Sequence, residues 1–205
     1  KRGKLPILVG GTGLYIRAVV DNFHIPKVAP NSVVRARLNK KTSAQLFALL
    51  KKKDPAQAAK IAPQNRRYLI RALEVITTTG KPFSELQQRG EPLFDTLQLM
   101  PLIDRAVLYR SIDHRDDDMM HHGLHSEAKK VGRRYGWDLP VLSSLGHRQL
   151  GMYVRGDISL DEAVELIKRD TRRFSKRQNT WFKRDKRMQY IQSRAQAFRK
   201  MRAWW

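Results

Sequence analysis

The spacing of apolar positions changes along this chain, and each change marks an element. Leu5 to Val9 is a continuous apolar run closed by Gly10-Gly11, the pattern of a strand buried in a parallel sheet. From Thr12 to Val20 the period turns helical, with Leu14, Ala18 and Val19 on one side. Pro26 to Pro30 reads as a linker. Helical patterns follow over about residues 31–39, 43–52, 55–61 and 64–79, separated by Lys-rich or Pro-containing breaks, and Gly80-Lys81-Pro82 stops the last. Leu97 to Ile103 returns to a strand pattern, with Pro101 suited to an edge or a strand end. Asp104 then caps a helix to about His122, and another runs from about Leu124 to Tyr135. A loop through Pro140 leads to a short helix near 147–154, a long basic helix, a strand at Met188 to Ile191 and a helical tail to Trp205.

The basic helix opens on a capping box, Ser159 with Glu162. At helical spacing Leu160, Ala163, Val164, Ile167, Phe174, Trp181 and Phe182 share the side expected to meet a core. Arg169, Arg172, Lys176, Lys183 and Arg187 point the other way, towards solvent or a polyanion. Thr171 and Gln178 fall inside the apolar stripe, and Arg173, Arg177 and Arg184 border it. A polar group on a core-facing stripe costs free energy unless paired, so these residues are structural hydrogen bonders or site residues. Guanidinium forks suit phosphate and tolerate the edge of a core.

Charge sharpens this picture. The 205 residues carry 41 Lys plus Arg against 19 Asp plus Glu, a net charge of +22. Such an excess of one sign calls for a polyanionic partner, most simply nucleic acid. No long apolar run or signal-like start supports a membrane. Hydrophobic content of 41% excludes a wholly disordered chain. The absence of cysteine removes disulfides, Cys-based metal sites and thiol nucleophiles, which fits a cytoplasmic protein. The start on Lys1 and a strand gives the look of a piece cut from a longer chain.

Four constellations are candidates for chemistry. Gly10, Gly11, Thr12 and Gly13 place a glycine turn at a helix N-terminus, where backbone amides and the Thr12 hydroxyl can cradle phosphate, although the Gly-Lys-Ser/Thr ending of a Walker A loop is missing. A tight structural turn explains the same residues. His121 and His125 have a zinc-like spacing, but Gly123 interrupts the helix between them, and no metal ligands are assigned. Asp116, Asp117 and Asp118 read as a solvated acidic patch. Arg66, Arg67 and Arg71 line one helix with Tyr68 among them, a stripe suited to phosphate tracking and base stacking; only Glu74 is near enough in sequence to neutralise it.

Taken in order, these segments resemble the tRNA dimethylallyltransferase (tRNA isopentenyltransferase) family. The resemblance rests on Pro6-Ile-Leu-Val-Gly-Gly-Thr-Gly-Leu-Tyr15, Ile70-Arg-Ala-Leu-Glu-Val75, Gly80-Lys-Pro82, Asp104-Arg105 with Leu108-Tyr-Arg110, and Leu139-Pro140. It continues through Gly156-Asp-Ile-Ser-Leu-Asp-Glu-Ala163 and Thr171-Arg-Arg-Phe-Ser-Lys-Arg-Gln-Asn-Thr-Trp-Phe182. It implies an α/β fold, mostly helical overall: a P-loop-kinase-like parallel sheet core, incomplete at its N-terminus, over 1–28 and 89–205, with a helical insertion domain over 29–88. It implies transfer of a dimethylallyl group from dimethylallyl diphosphate to N6 of adenosine 37 in tRNA, with Mg²⁺, by a cytoplasmic monomer. By resemblance Thr12 contacts the diphosphate region, Arg35 lies near the tRNA, the Arg67–Arg71 segment with Tyr68 contacts it, and Arg115 helps hold diphosphate. With Arg177 from the border row, Thr12 and Arg115 form the expected catalytic set. His147, Arg148, Arg173, Gln178 and Arg184 are expected to meet tRNA.

Two departures qualify the match. The nucleotide-binding P-loop and the Asp-containing segment that supplies the base for adenine N6 would lie upstream of Lys1, so 1–205 alone is expected to be inactive. Ser143-Ser-Leu-Gly-His-Arg148 stands where the family has Arg-Ala-Ile-Gly-Tyr-Lys, which weakens one tRNA contact. The rival functions are an adenylate isopentenyltransferase acting on AMP, ADP or ATP, and a non-catalytic RNA-binding remnant.

Overall fold

The computed structural model describes residues 4–87, 89–137 and 139–205. The chain divides into two compact units, Lys1–Thr96 and Leu97–Trp205. The described residues of 1–28 fall in the first unit together with the helical block.

The first unit contains α1 (Gly13–Val20), α2 (Ser32–Asn39), α3 (Ser43–Lys53), α4 (Pro55–Ala58), α5 (Arg66–Thr79) and α6 (Phe83–Leu86). Its core forms where Leu46 and Leu50 of α3 meet Leu69, Leu73 and Ile76 of α5, positions three or four apart that share one helix face. Thr42 and Gln45 close a capping box on α3. Gly80 ends α5 at φ +71°, where a side chain would be strained. The short α6, absent from the sequence reading, is fastened by buried Asp54: its carboxylate accepts from the Ser84 amide at 2.8 Å and hydroxyl at 2.7 Å, and caps α4 through the Gln57 amide at 3.0 Å.

The run at 5–9 does not form the expected buried strand. These residues have no ladder partner among the described residues, and Ile7, Leu8 and Val9 are exposed. An apolar run encodes a tendency to be buried; a strand needs a neighbour to satisfy its backbone groups.

The second unit contains β1 (Gln98–Pro101), α7 (Arg105–His121), α8 (Leu124–Tyr135), a 3₁₀ turn (Pro140–Ser143), α9 (His147–Val154), α10 (Leu160–Phe182), β2 (Met188–Ile191) and α11 (Arg194–Trp204). β1 and β2 pair in parallel, with Gln98 opposite Met188 and Pro101 opposite Ile191. Pro101 ends its strand, where a missing N–H is tolerated. Gly123, at φ +94°, separates α7 from α8 at the break expected from sequence. The core gathers Ala128, Leu150, Ala163 and Ile167, with Leu124, Trp137, Tyr153 and Leu160 packed against them. Trp137 lies in a slot between two glycines: a Cβ at Gly132 would fall 2.2 Å from its ring, and one at Gly151 would fall 2.9 Å from it.

Candidate nucleic-acid interface

The capping box predicted for α10 is present, and Ala163 and Ile167 are buried as its first half requires. Past Asp170 the stripe reaches the surface. Phe174 is exposed, and Trp181 and Phe182 are only partly covered. The apolar face expected along the whole helix is thus fully buried only in its N-terminal half.

The third buried residue of that stripe is Asp170, an acid that the sequence reading passed over. Four side chains converge on it. Arg148 Nη2 donates to Oδ2 at 2.8 Å and Gln149 Nε2 to the same oxygen at 3.0 Å; Arg169 Nε donates to Oδ1 at 3.1 Å and Arg173 Nη1 at 3.4 Å. Burial alone would raise the Asp170 carboxyl. The hydrogen bond and charge of Arg169, then Gln149 and Arg148, outweigh burial and hold it below the ordinary range. Three guanidiniums around one carboxylate leave a local excess of positive charge. Their side chains are 56%, 47% and 61% exposed, so the same forks face solvent. Gln149 also accepts from the Gly146 amide at 3.1 Å, fixing the start of α9 and hence Arg148. The sequence signal that could have found this node is an acid at the helical register of Ala163 and Ile167.

The other faces of α10 differ from the sequence division. Arg172, placed on the solvent face, donates twice to Asp113 of α7 at 2.8 and 2.7 Å, and Lys168 pairs with Asp117 at 2.7 Å. Arg187 folds back onto Asp185. Of the outer row, Lys176 and Lys183 stay exposed with no carboxylate partner among the described residues. Thr171 donates to the Ile167 carbonyl at 2.9 Å, a local structural bond. In the border row Arg177 is exposed with its guanidinium 5.6 Å from the Phe174 ring centroid, Arg184 is exposed, and Gln178 is half-buried. Arg115 is exposed on α7.

The acidic run on α7 is solvated only at Asp117 and Asp118. Asp117 pairs with Lys168 and Asp118 with His114, while Asp116 is 1% exposed and neither of its oxygens accepts a well-formed hydrogen bond, the nearby Thr171 hydroxyl donating to the Ile167 carbonyl instead. Burial pushes its carboxyl upward. His147 Nε2 lies 3.2 Å from Glu127, so this residue too has a partner within the unit. His125 packs edge-on against Tyr153 at 5.3 Å. Among the described residues no three His, Cys, Asp or Glu side chains gather as metal ligands. The described residues thus supply no cluster of three such ligands for the Mg²⁺ implied by the resemblance.

In the first unit Glu74 is fully buried and organises the arginines around it. Arg35 donates to both its oxygens at 2.7 and 3.0 Å, Arg71 Nη1 donates at 2.8 Å, and the Asn31 amide at 2.7 Å. Arg71 also reaches the Val28 carbonyl at 2.9 Å. Burial would raise the Glu74 carboxyl, but Arg35, Arg71 and the Asn31 amide bring it down to about 2. Ion pairing with Glu74 thus accounts for Arg71 of this helix and for Arg35 of α2. Arg66 caps the end of α2 through the Asn39 carbonyl at 2.7 Å. Arg67 and Tyr68 alone of this stripe face outwards without such a role.

At the glycine turn, Thr12 is the N-cap residue of α1, and its hydroxyl makes no capping bond. Gly10 has no positive φ, and a Cβ there would meet nothing within 4 Å, so neither backbone nor packing demands glycine.

The structure thus defines a mostly helical α/β protein with a small parallel sheet and arginine forks organised for anionic ligands. The IPP transferase family model matches residues 1–185, and the chain belongs to that family. It is 42% identical to tRNA dimethylallyltransferase of Carboxydothermus hydrogenoformans over 98% of this chain and 67% of that protein. It is 44% identical to tRNA dimethylallyltransferase of Roseiflexus sp. over 89% of this chain and 62% of that one. Among solved structures, the full-length tRNA isopentenylpyrophosphate transferase of Bacillus halodurans matches with a TM-score of 0.64 at 33% identity, covering 99% of this chain and 66% of that chain. A eukaryotic dimethylallyltransferase acting on tRNA matches at 0.67 and 28% identity, covering 88% and 48%. The chain therefore spans about three fifths to two thirds of the curated relatives' length.

Proposed function

We propose that this protein takes part in prenylation of tRNA, transferring a dimethylallyl group from dimethylallyl diphosphate to N6 of adenosine 37. The allylic C–O bond breaks, diphosphate leaves with the bonding electrons, the C–N bond forms and N6 gives up a proton to a base. Charge builds on the leaving diphosphate, so preorganised hydroxyl, amide and guanidinium donors stabilise the transition state. Gly10, Gly11, Thr12 and Gly13 are the cradle we assign to diphosphate; the uncapped Thr12 hydroxyl and the absence of any structural need for Gly10 support this. Arg115 and Arg177 complete the proposed set. The same reading keeps 29–88 as an insertion in an α/β core of 1–28 and 89–205, and makes the protein a cytoplasmic monomer. None of the described helices is long and apolar enough to cross a membrane.

The observation that carries the RNA partner is the Asp170 node, where Arg148, Arg169 and Arg173 are held in place yet exposed. One carboxylate positions three forks and neutralises only one, which suits a backbone of repeated phosphates. Arg67 and Tyr68 add an exposed cation and a stacking surface, and His147, Gln178 and Arg184 belong to the same proposed contact set. Arg35 and Arg71 would act through the Glu74 clamp that shapes their helices. Titration of the chain with tRNA at low salt, with AMP as competitor, tests the proposal. Binding that AMP does not displace is expected. Displacement by AMP would favour an adenylate isopentenyltransferase, and no binding would remove the RNA reading.

A further inference from the structure

The faces of α8 have opposite characters. Leu124, Ala128 and Gly132, four residues apart, turn into the core, where the small residues let Trp137 approach. On the outside Ser126, Lys129, Lys130, Arg133 and Arg134 surround a shallow open depression. None of the four cations has a carboxylate partner among the described residues. The one acid on the helix, Glu127, lies against His147. Like charges three and four positions apart repel, each pair costing a few tenths of a kcal/mol in a helix. The helix dipole favours Arg133 and Arg134 in the last turn but does nothing for Lys129 and Lys130. The stripe therefore opposes folding weakly without serving the unit's own packing.

Tyr135 is exposed beside the stripe, with the Arg134 guanidinium 5.1 Å from its ring centroid. Cations in a row suit a phosphate backbone, and an exposed aromatic under a guanidinium suits a stacked base. We propose that this face of α8 is a second RNA-binding surface, separate from the Asp170 node, that grips the phosphate backbone without reading sequence. The inference rests on the tRNA reading above and names which surface extends it. Anionic membranes offer the same charge but no base for Tyr135 to stack on.

The test uses the chain 1–205 and the variant carrying Lys129→Gln, Lys130→Gln, Arg133→Gln and Arg134→Gln, with unchanged circular dichroism as the folding check. tRNA affinity is measured across a salt series, and acetylation of Lys129 and Lys130 is compared with and without tRNA. The expected result is protection of both lysines, at least about 10-fold weaker binding by the variant, and a shallower slope of log affinity against log salt, by about 3 for four lost phosphate contacts. If the natural chain binds tRNA while the variant matches it and neither lysine is protected, the surface is wrong and the tRNA reading stands. If the natural chain fails to bind tRNA at low salt, the tRNA reading fails and this inference with it. Protection by phosphatidylserine vesicles in place of tRNA would also overturn it.

Discussion

Glu74 and Asp116 are both buried acids, and their surroundings set them apart. Glu74 is met by two guanidiniums and an amide, and its carboxyl sits at about 2 against an ordinary 4.5. A depressed acid stabilises the fold above its unfolded pKa and loses that contribution as pH falls through the folded one. Acid titration of thermal stability should therefore show a loss between about pH 4.5 and 2 that Glu74→Gln abolishes. At pH 7 the same substitution should cost roughly 3 kcal/mol, read by denaturant unfolding, because it removes the anion that Arg35 and Arg71 hold. Asp116 accepts no well-formed hydrogen bond, since the nearby Thr171 hydroxyl donates to the Ile167 carbonyl, and burial raises its carboxyl more than Thr171, Arg115 and Lys168 lower it. For a raised acid the sign reverses: its charged form opposes folding once pH exceeds the unfolded value. Asp116→Asn should raise the melting temperature at pH 8 by a few degrees and by less at pH 4. A lower melting temperature at pH 8 would show that Lys168 and Arg115 compensate the charge fully.

At the scale of elements, α8 and α9 are set by what glycine leaves out. Alanine ordinarily stabilises a helix interior over glycine by about 1 kcal/mol. At Gly132 the added methyl would overlap the Trp137 ring, which Gly151 confines on its other side. Overpacking costs about 1–3 kcal/mol, so Gly132→Ala should lower stability in a urea melt despite its better propensity. α10 permits a sharper comparison. On the proposed role of Arg177 as a donor to the leaving diphosphate, Arg177→Ala in a form of the protein active on tRNA should cut turnover by about 10-fold or more. Lys183→Ala should instead weaken tRNA binding and reduce its salt slope by about 1. Equal effects of the two on both quantities would count against separate roles.

At the scale of the molecule, a net charge of +22 makes binding to a polyanion steeply dependent on salt. Raising salt from 50 to 200 mM should weaken tRNA binding by about 10³-fold if six or more phosphates are engaged, and a flat response in filter binding would show that charge does not drive it. Most elements were legible from the chain alone, and its charge pointed to a polyanionic partner. Helical periods, the capping box at Ser159 and the stops at Gly80 and Gly123 each depend on groups within a turn or two. What only the tertiary structure decided is which charges are spent inside the protein. Arg35 meets Glu74 across 39 positions, Arg172 meets Asp113 across 59, and Arg148 meets Asp170 across 22. The run at 5–9 is likewise apolar by sequence but becomes a strand only beside a partner. Local order follows from neighbours along the chain. The pairing and burial of a charge follow from which faces meet, and the packed core sets that.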